Sequence, residues 1–129
     1  MLKTEIRLNK DKIQKEGRYT AESLYAAIDK VFSKHGFGKI MFEDGTIAYT
    51  GNGNPADFET FGMIITGLKD KSWFMNNLDK WLWYNSDDDI DDNDFSVEDI
   101  LYHYTRRASI EGLKGGEFDR KGRTTERAQ

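Results

Sequence analysis

The run KIMFEDGTIAYT, residues 39–50, is the strongest indicator of fold in the sequence. It consists of two β-prone segments on either side of Asp44 and Gly45, a pair typical of the turn in a β-hairpin. Ile40 and Phe42 are two positions apart in the first segment, so both fall on one face of a strand. The run therefore predicts two antiparallel strands joined by a tight turn.

The residues before this hairpin predict one further strand and one helix. Apolar side chains alternate with polar and charged ones over residues 2–8, which is typical of a half-buried strand. Thr20 is a favourable N-cap, and apolar residues follow it at helical spacing as far as Gly36, which is suited to a left-handed C-cap. A strand, a helix and a hairpin together predict a two-layer α+β domain.

The residues after the hairpin predict three helices, one of them ambiguous. The first covers residues 55–68, where β-branched side chains leave a strand at 63–68 as the alternative. The second begins within residues 70–72 and extends through Tyr84, and its apolar arc is wider than packing on one sheet requires. The third begins with Ser96 as its N-cap.

The expected fold is α+β, with a small antiparallel sheet of about three strands, formed by the N-terminal strand and the hairpin, and three to four helices. We expect residues 1–113 to form this single domain. Residues 114–129 have almost no apolar content and are expected to form a flexible, disordered polar tail. A length of 129 residues also favours one domain.

Composition limits the compartment and the class of partner. The chain has no cysteine, which excludes disulfides and thiolate metal sites and favours the reducing cytoplasm of a bacterium. It has no apolar run long enough for a membrane span and no apolar signal core, so no membrane association is expected. The net charge is −4, and residues 36–99 alone hold 4 bases and 14 acids. Such an acidic middle favours basic partners and opposes direct nucleic-acid binding, despite basic residues near the C-terminus.

An aromatic cluster followed by an acidic run, within residues 71–99, is the candidate functional stretch. Six aspartates lie between residues 87 and 94 with no base among them. Exposed aromatics are typical anchors of protein interfaces, and a dense set of carboxylates speeds the approach of a basic partner. The predicted partner-binding residues are Trp73, Trp83, Tyr84, Asp87, Asp88, Asp89, Asp91, Asp92 and Asp94.

The hypothesis is therefore a non-enzymatic, small acidic protein that binds a basic macromolecular partner, as an accessory or inhibitor protein of a mobile element or phage. The competing interpretation is that the aspartates are a solvated loop and that Trp73 and Trp83 belong to the core. The sequence leaves the identity of the partner and the oligomeric state open.

A calcium loop is the alternative for the aspartate run. Starting at Asp87, the ligand positions of an EF-hand loop fall on Asp87, Asp89, Asp91, Asn93 and Glu98. Two residues depart from the pattern, because Asp92 stands at the glycine turn position and Asp94 at the inward apolar position. Weak cation binding therefore remains an alternative without a defined site.

Enzymatic signatures are weak throughout the chain, and no cofactor is expected. Gly51-x-Gly53-x-x-Ala56 has the spacing of a dinucleotide fingerprint, but it follows a predicted hairpin rather than opening a parallel βαβ unit. His35 and His103 share no local motif with a nucleophile or a second ligand. A small enzyme with an unrecognised site, in which the two histidines line one pocket, remains the less favoured alternative.

Overall fold

The computed structural model describes residues 2–85 and 96–110, which form one antiparallel sheet with helices packed on it. The strands are β1 (Leu2–Leu8), β2 (Gly38–Met41), β3 (Ile47–Thr50), β4 (Leu78–Asn85) and β5 (Ser96–Asp99). The helices are α1 (Lys10–Glu16), α2 (Ala21–Ser33), α3 (Asp57–Leu68), α4 (Ser72–Met75) and α5 (Ile100–Thr105). The strand order is β2-β3-β1-β4-β5, with every neighbouring pair antiparallel.

The N-terminal strand β1 lies at the centre of the sheet. It pairs with β3 on one side and β4 on the other, so that Ile6 stands opposite both Ile47 and Trp81. Because side chains alternate along a strand, these three residues share the face of the sheet on which the helices pack. The apolar positions of β1 therefore join both halves of the sheet to one core.

The core lies between this face and the helices, and aromatic rings make up much of it. Phe32 from α2 stacks on Tyr49 with ring centroids 4.1 Å apart and planes 6° apart. On the other side of β1, Phe74 meets Trp81 edge to face, at 4.9 Å and 90°. The edge-to-face arrangement is one that the ring quadrupole favours. Trp81 is fully buried, and burying so large a side chain stabilises the fold by several kcal/mol.

Charged side chains connect three elements on the opposite face of the sheet. Arg7 lies 3.2 Å from Asp44 and 3.6 Å from Asp79, while Lys80 lies 3.8 Å from Glu5 and 3.9 Å from Asp44. Signs therefore alternate across β1, β4 and the hairpin loop, and the loop is held against the sheet.

The acidity of Asp44 reflects this setting. Burial alone would raise its pKa, but hydrogen bonds from Thr46 and the charges of Lys80 and Arg7 hold the pKa below its usual range. The carboxylate is therefore stabilised in its charged form by the folded protein.

The predicted hairpin and its preceding helix are both confirmed. β2 and β3 pair around a loop at Glu43–Gly45, in which Gly45 has a φ of +92°. This three-residue loop is a turn followed by a left-handed glycine, one of the common hairpin connections. Thr20 caps α2 by accepting a hydrogen bond from the Ser23 N–H at 3.0 Å.

The expected strand count of about three is too low, because the predicted helix through Tyr84 is mostly the strand β4. Only residues 72–75 of that segment are helical. β4 buries side chains on both faces, with Trp81 toward the helices and Leu82 toward the other face. When both faces of a strand are covered, nearly every residue along it is apolar. This explains why the apolar arc of this segment is too wide for a helix that packs on one sheet.

The helix predicted from Ser96 is also wrong at its start. Residues 96–99 form β5, and Asp99 rather than Ser96 is the N-cap of the following helix. Asp99 accepts a hydrogen bond from the Tyr102 N–H at 3.2 Å. β5 pairs with β4 from the Leu82–Asp99 pair to the Asn85–Ser96 pair. The backbone hydrogen bonds of this antiparallel ladder hold residues 96–99 in an extended conformation.

Two helical assignments complete the comparison. Residues 10–16, between the predicted strand and the predicted helix, form α1, capped by Asn9 and ended by Gly17 with a φ of +70°. Residues 57–68 form α3, so the strand alternative at 63–68 is wrong.

The domain boundary predicted at 113 and the predicted tail lie outside the described residues. No helix among the described residues is long and apolar enough to cross a membrane.

Candidate functional site

An open groove between α3, the β4–β5 pair and α5 is the candidate site, and we call it the aromatic groove. Its volume is about 160 Å³. Three of its lining side chains are phenylalanine, tryptophan or tyrosine, and one carboxylate and one imidazole are also part of the lining. The lining residues are Phe58, Gly62, Ile65, Trp83, Glu98, Ile100, His103 and Tyr104.

Trp83 forms the floor of the aromatic groove. It lies on β4, opposite Thr4 of β1, on the face of the sheet that the helices cover. Its ring centroid is 5.1 Å from that of Phe61, in the core, and 6.3 Å from that of Phe58, at the rim. Trp83 is half-buried, so it belongs to the margin of the core and to the groove at once.

Exposed aromatic side chains form the rim of the groove. Phe58 is 59% exposed on α3, and Tyr104 is 41% exposed on α5. The Tyr104 ring lies 4.7 Å from the His103 ring in an edge-to-face contact. Large exposed apolar side chains around a concave surface are typical of sites that bind another protein.

The charged residues of the groove are Glu98 and His103. The Glu98 carboxylate lies 3.8 Å from His103 Nδ1, and both side chains are more than half exposed. An exposed pair of this kind contributes little to stability, and only when the histidine is protonated. Glu98 thus remains accessible at the groove wall as an acceptor for a basic group.

The connection that carries the acidic run leaves the sheet near the groove. Trp83 pairs with Glu98, and two positions further along, Asn85 pairs with Ser96. Two residues of strand span about 7 Å. The six predicted aspartates of residues 87–94 lie between Asn85 and Ser96 in sequence, outside the described residues.

The structure does not bring the three predicted aromatic anchors together. Trp83 lines the groove, whereas its neighbour Tyr84 is buried on the other face of the sheet, with the Lys3 ammonium 4.2 Å from its ring centroid. Trp73 is half-buried on α4, with its ring 5.9 Å from that of Phe74. Among these three, Trp83 alone lines the aromatic groove.

Sequence reasoning did not single out Phe58 or Tyr104 as site residues. α3 buries Phe61, Ile64 and Leu68, whereas Phe58, in the first turn of the helix, lies beside Trp83 and stays more than half exposed. The only sequence signal was that α3 carries more apolar residues than one buried face requires.

The calcium-loop and histidine alternatives involve residues that the structure describes only in part. Glu98, the last ligand of the alternative calcium loop, lies on β5, and the other four candidate ligands lie outside the described residues. Among the residues that the structure describes, no group of three or more histidine and carboxylate side chains could hold a metal ion. His103 lines the aromatic groove. His35 lies elsewhere: it follows α2, and its ring is 6.1 Å from that of Phe37.

The glycine loop before α3 binds a carboxylate of its own chain. Asp57 Oδ2 accepts hydrogen bonds from the Asn52 N–H at 2.8 Å and the Asn54 N–H at 3.1 Å. These are the backbone donors that a phosphate would need. The strand before the loop, β3, is antiparallel to both of its neighbours, so the loop does not resemble a dinucleotide site.

No family model matches this chain, and comparisons with curated proteins and with solved structures also find no match. Any functional assignment therefore depends on the geometry and charge of the groove itself.

Proposed function

We propose that this chain is a non-enzymatic binding protein whose aromatic groove takes an apolar side chain from a basic protein partner. The observation that carries the proposal is the half-buried Trp83 at the floor of an open groove with exposed Phe58 and Tyr104 at its rim. Anchors of this type dominate the energetics of protein interfaces when a partner side chain fills the space between them.

The size of the groove favours a side chain over a whole small molecule. Sites for drug-sized ligands have volumes of about 300–1,000 Å³ and bury most of the ligand surface. The aromatic groove has a volume of about 160 Å³ and is open to solvent along its length. One large apolar side chain of a partner, or two small ones, would fill it.

The charge near the groove favours a basic partner. Residues 36–99 carry a net charge of −10, and the aspartate-rich connection begins about 7 Å along the strand from Trp83. Carboxylates at the edge of an interface mainly accelerate association and make it dependent on salt. Glu98, in the wall of the groove, is placed to accept a hydrogen bond from a lysine or arginine next to the inserted side chain.

The biological setting of the proposal is an accessory or inhibitor role in a bacterial mobile element or phage, within the cytoplasm. Small size, acidity and the lack of cysteine support this setting.

The test compares two variants on the same helix. Phe58 and Met63 are 59% and 60% exposed on α3, but Phe58 lines the groove and Met63 does not. Phe58→Ala and Met63→Ala should therefore change stability equally little, while only Phe58→Ala should weaken binding. The assay is capture from bacterial extract, followed by titration calorimetry with the captured basic protein.

The expected result is a rise in Kd of about tenfold or more for Phe58→Ala, as for other aromatic anchors. A variant with the six aspartates of residues 87–94 changed to asparagine should bind more slowly and with less salt dependence. Equal binding by Phe58→Ala and Met63→Ala would exclude the aromatic groove. Failure of the parent to retain any basic protein at low salt would exclude the function.

A further inference from the structure

The strand β2 lies at one edge of the described sheet and carries exposed apolar side chains. Within the described residues, β2 has β3 as its single neighbour in the sheet, and all four of its residues are exposed. Ile40 is 49% exposed, Met41 is 70% exposed, and Phe42, the next residue, is 46% exposed. Edge strands are usually protected by lysine, proline or a bulge, because unpaired backbone groups otherwise recruit another strand. The one lysine of β2, Lys39, lies 2.9 Å from Asp29 of α2, so its charge is already paired within the chain.

The register of the hairpin shows which backbone groups face this edge. The Phe42 N–H donates to the Thr46 carbonyl at 2.9 Å, which makes Phe42 and Thr46 a hydrogen-bonded pair. Hydrogen-bonded and non-hydrogen-bonded pairs alternate along an antiparallel ladder. Ile40 is therefore bonded to Ala48 of β3, and the N–H and C=O groups of Met41 point away from β3, toward the outer edge.

We propose that β2 is the self-association surface of this protein, where two copies pair their β2 strands antiparallel about a twofold axis at Met41. In this register Met41 stands opposite Met41 of the second copy, and the two residues exchange backbone hydrogen bonds. Ile40 stands opposite Phe42 of the second copy, and Lys39 faces Glu43, the first residue of the second copy's hairpin loop. The interface is isologous, as expected for a symmetric dimer.

Charge selects this register over its neighbours. Centring the axis on Lys39 would place two ammonium groups opposite each other, and centring it on Phe42 would place Ile40 opposite Asp44. Centring it on Ile40 would leave Lys39 opposite an apolar residue. The Met41 register brings opposite charges together twice, and at the three positions between them it pairs apolar side chains with apolar side chains, which is the favourable pattern for cross-strand pairs.

The space beside β2 also fits a second copy. A groove of about 410 Å³ lies between α2 and the hairpin, on the helix side of the sheet, and Met41, Tyr25 and Ala26 are among its lining residues. Residues in a hydrogen-bonded antiparallel pair have Cα atoms about 5.5 Å apart. The Met41 side chain of the second copy would therefore reach this groove. Lys39, which lies 2.9 Å from Asp29 of α2, would then sit between two carboxylates.

The proposed dimer leaves the aromatic groove free. Among the described strands, β2 and β5 are the two edges of the sheet, so pairing through β2 joins the sheets of two copies and puts β5, with the groove beside it, at each far end. The inference does not depend on the proposed partner binding.

The test is sedimentation equilibrium of the full chain over a range of concentrations, with two kinds of variant. Met41→Pro removes an N–H that points to the outer edge and leaves the hydrogen bonds to β3 in place, a position where strands tolerate proline. It should abolish dimer formation and keep the circular dichroism and melting curve of a folded protein. Glu43→Lys and Lys39→Glu each place like charges opposite each other and should raise the dimer Kd by about tenfold or more.

Mixing distinguishes this register from a general effect of charge. Glu43→Lys and Lys39→Glu chains, each largely monomeric alone, should form a heterodimer when combined, because both cross-strand pairs then have opposite signs. A parent that is monomeric up to about 1 mM overturns the proposal. So does a dimer that survives Met41→Pro, or a pair of charge variants that does not associate on mixing.

Discussion

Replacing Asp99 by alanine should destabilise the protein more than any other single change of a half-buried polar residue described above. The Asp99 carboxylate accepts three hydrogen bonds at once. One comes from the Tyr102 N–H at 3.2 Å, and two come from Ser109, whose N–H and Oγ lie at 2.8 and 2.6 Å. Ser109 Oγ in turn accepts a hydrogen bond from the Trp81 N–H of β4 at 3.0 Å. Asp99 therefore ties the start of α5, the chain that follows it and β4 together.

The magnitude follows from these contacts. Loss of an N-cap costs about 1 kcal/mol, and hydrogen bonds to a charged acceptor contribute about 1.5–3 kcal/mol each. Ser109 is buried, so its hydroxyl would be left without this acceptor. Because the three bonds share one side chain and are not additive, we expect Asp99→Ala to lower the free energy of unfolding by about 3 kcal/mol. For a domain of this size, that corresponds to a fall in Tm of about 10 °C.

The assay is urea unfolding followed by tryptophan fluorescence, with Glu98→Ala as the matched control. Glu98 is the neighbouring carboxylate on the same strand, and its one described ion pair is exposed, so its loss should change stability by less than about 0.5 kcal/mol. Ser109→Ala, combined with Asp99→Ala in a double-mutant cycle, measures the coupling between the two side chains. A loss below about 1 kcal/mol for Asp99→Ala, or no coupling to Ser109, would refute the role assigned to this carboxylate.

Three further predictions concern backbone space, the core and acid stability. Gly51→Ala should destabilise the protein by about 1–3 kcal/mol, because the new Cβ would lie 2.8 Å from an Asp57 carboxylate oxygen. Gly67→Ala has open space around it and should instead stabilise α3 by up to about 1 kcal/mol. Thermal unfolding measures both changes. Trp81→Ala should lower the free energy of unfolding by about 3–5 kcal/mol in urea, since the side chain is fully buried. Asp44, whose folded-state pKa is held below its usual value of 3.8, stabilises the fold above that pH and loses this contribution as pH falls through the folded pKa. Urea unfolding at neutral pH and near pH 3 should therefore show a smaller acid-induced loss for Asp44→Asn than for the parent.

Local signals were sufficient where one segment determined its own structure. Thr20 caps α2, and Asp44-Gly45 closes the hairpin, because each depends on contacts within a few residues. β4 depends instead on partners that are distant in sequence. Its Trp81 stands opposite Ile6, so the information that favours a strand lies in β1. The apolar periodicity of β4 fits both a helix and a strand, so it could not reveal the pairing with β1. For that reason the sequence predicted a helix there.

The candidate site was predictable only at Trp83. The aromatic groove exists because the β4–β5 pairing brings α5 next to α3, which places Tyr104 and Phe58 on two sides of one tryptophan. Neither α3 nor α5 carries a local pattern that separates an exposed aromatic residue from a buried one. The acidic run was evident from composition, and its role in binding remains a prediction.

The central position of β1 has a consequence for how the protein is made. β1 precedes the other described elements in the chain, yet it pairs with β3 at residues 47–50 and with β4 at residues 78–85. In the described part of the chain, it is the one strand that connects the β2–β3 hairpin to the β4–β5 hairpin. The sheet therefore cannot form completely until β4 and β5 have been synthesised, and folding depends on contacts between distant residues, which are slow to form. Until β4 is available, one side of β1 lacks its partner strand, and Ile6 and Leu8 lack the Trp81 and Leu78 residues that stand opposite them.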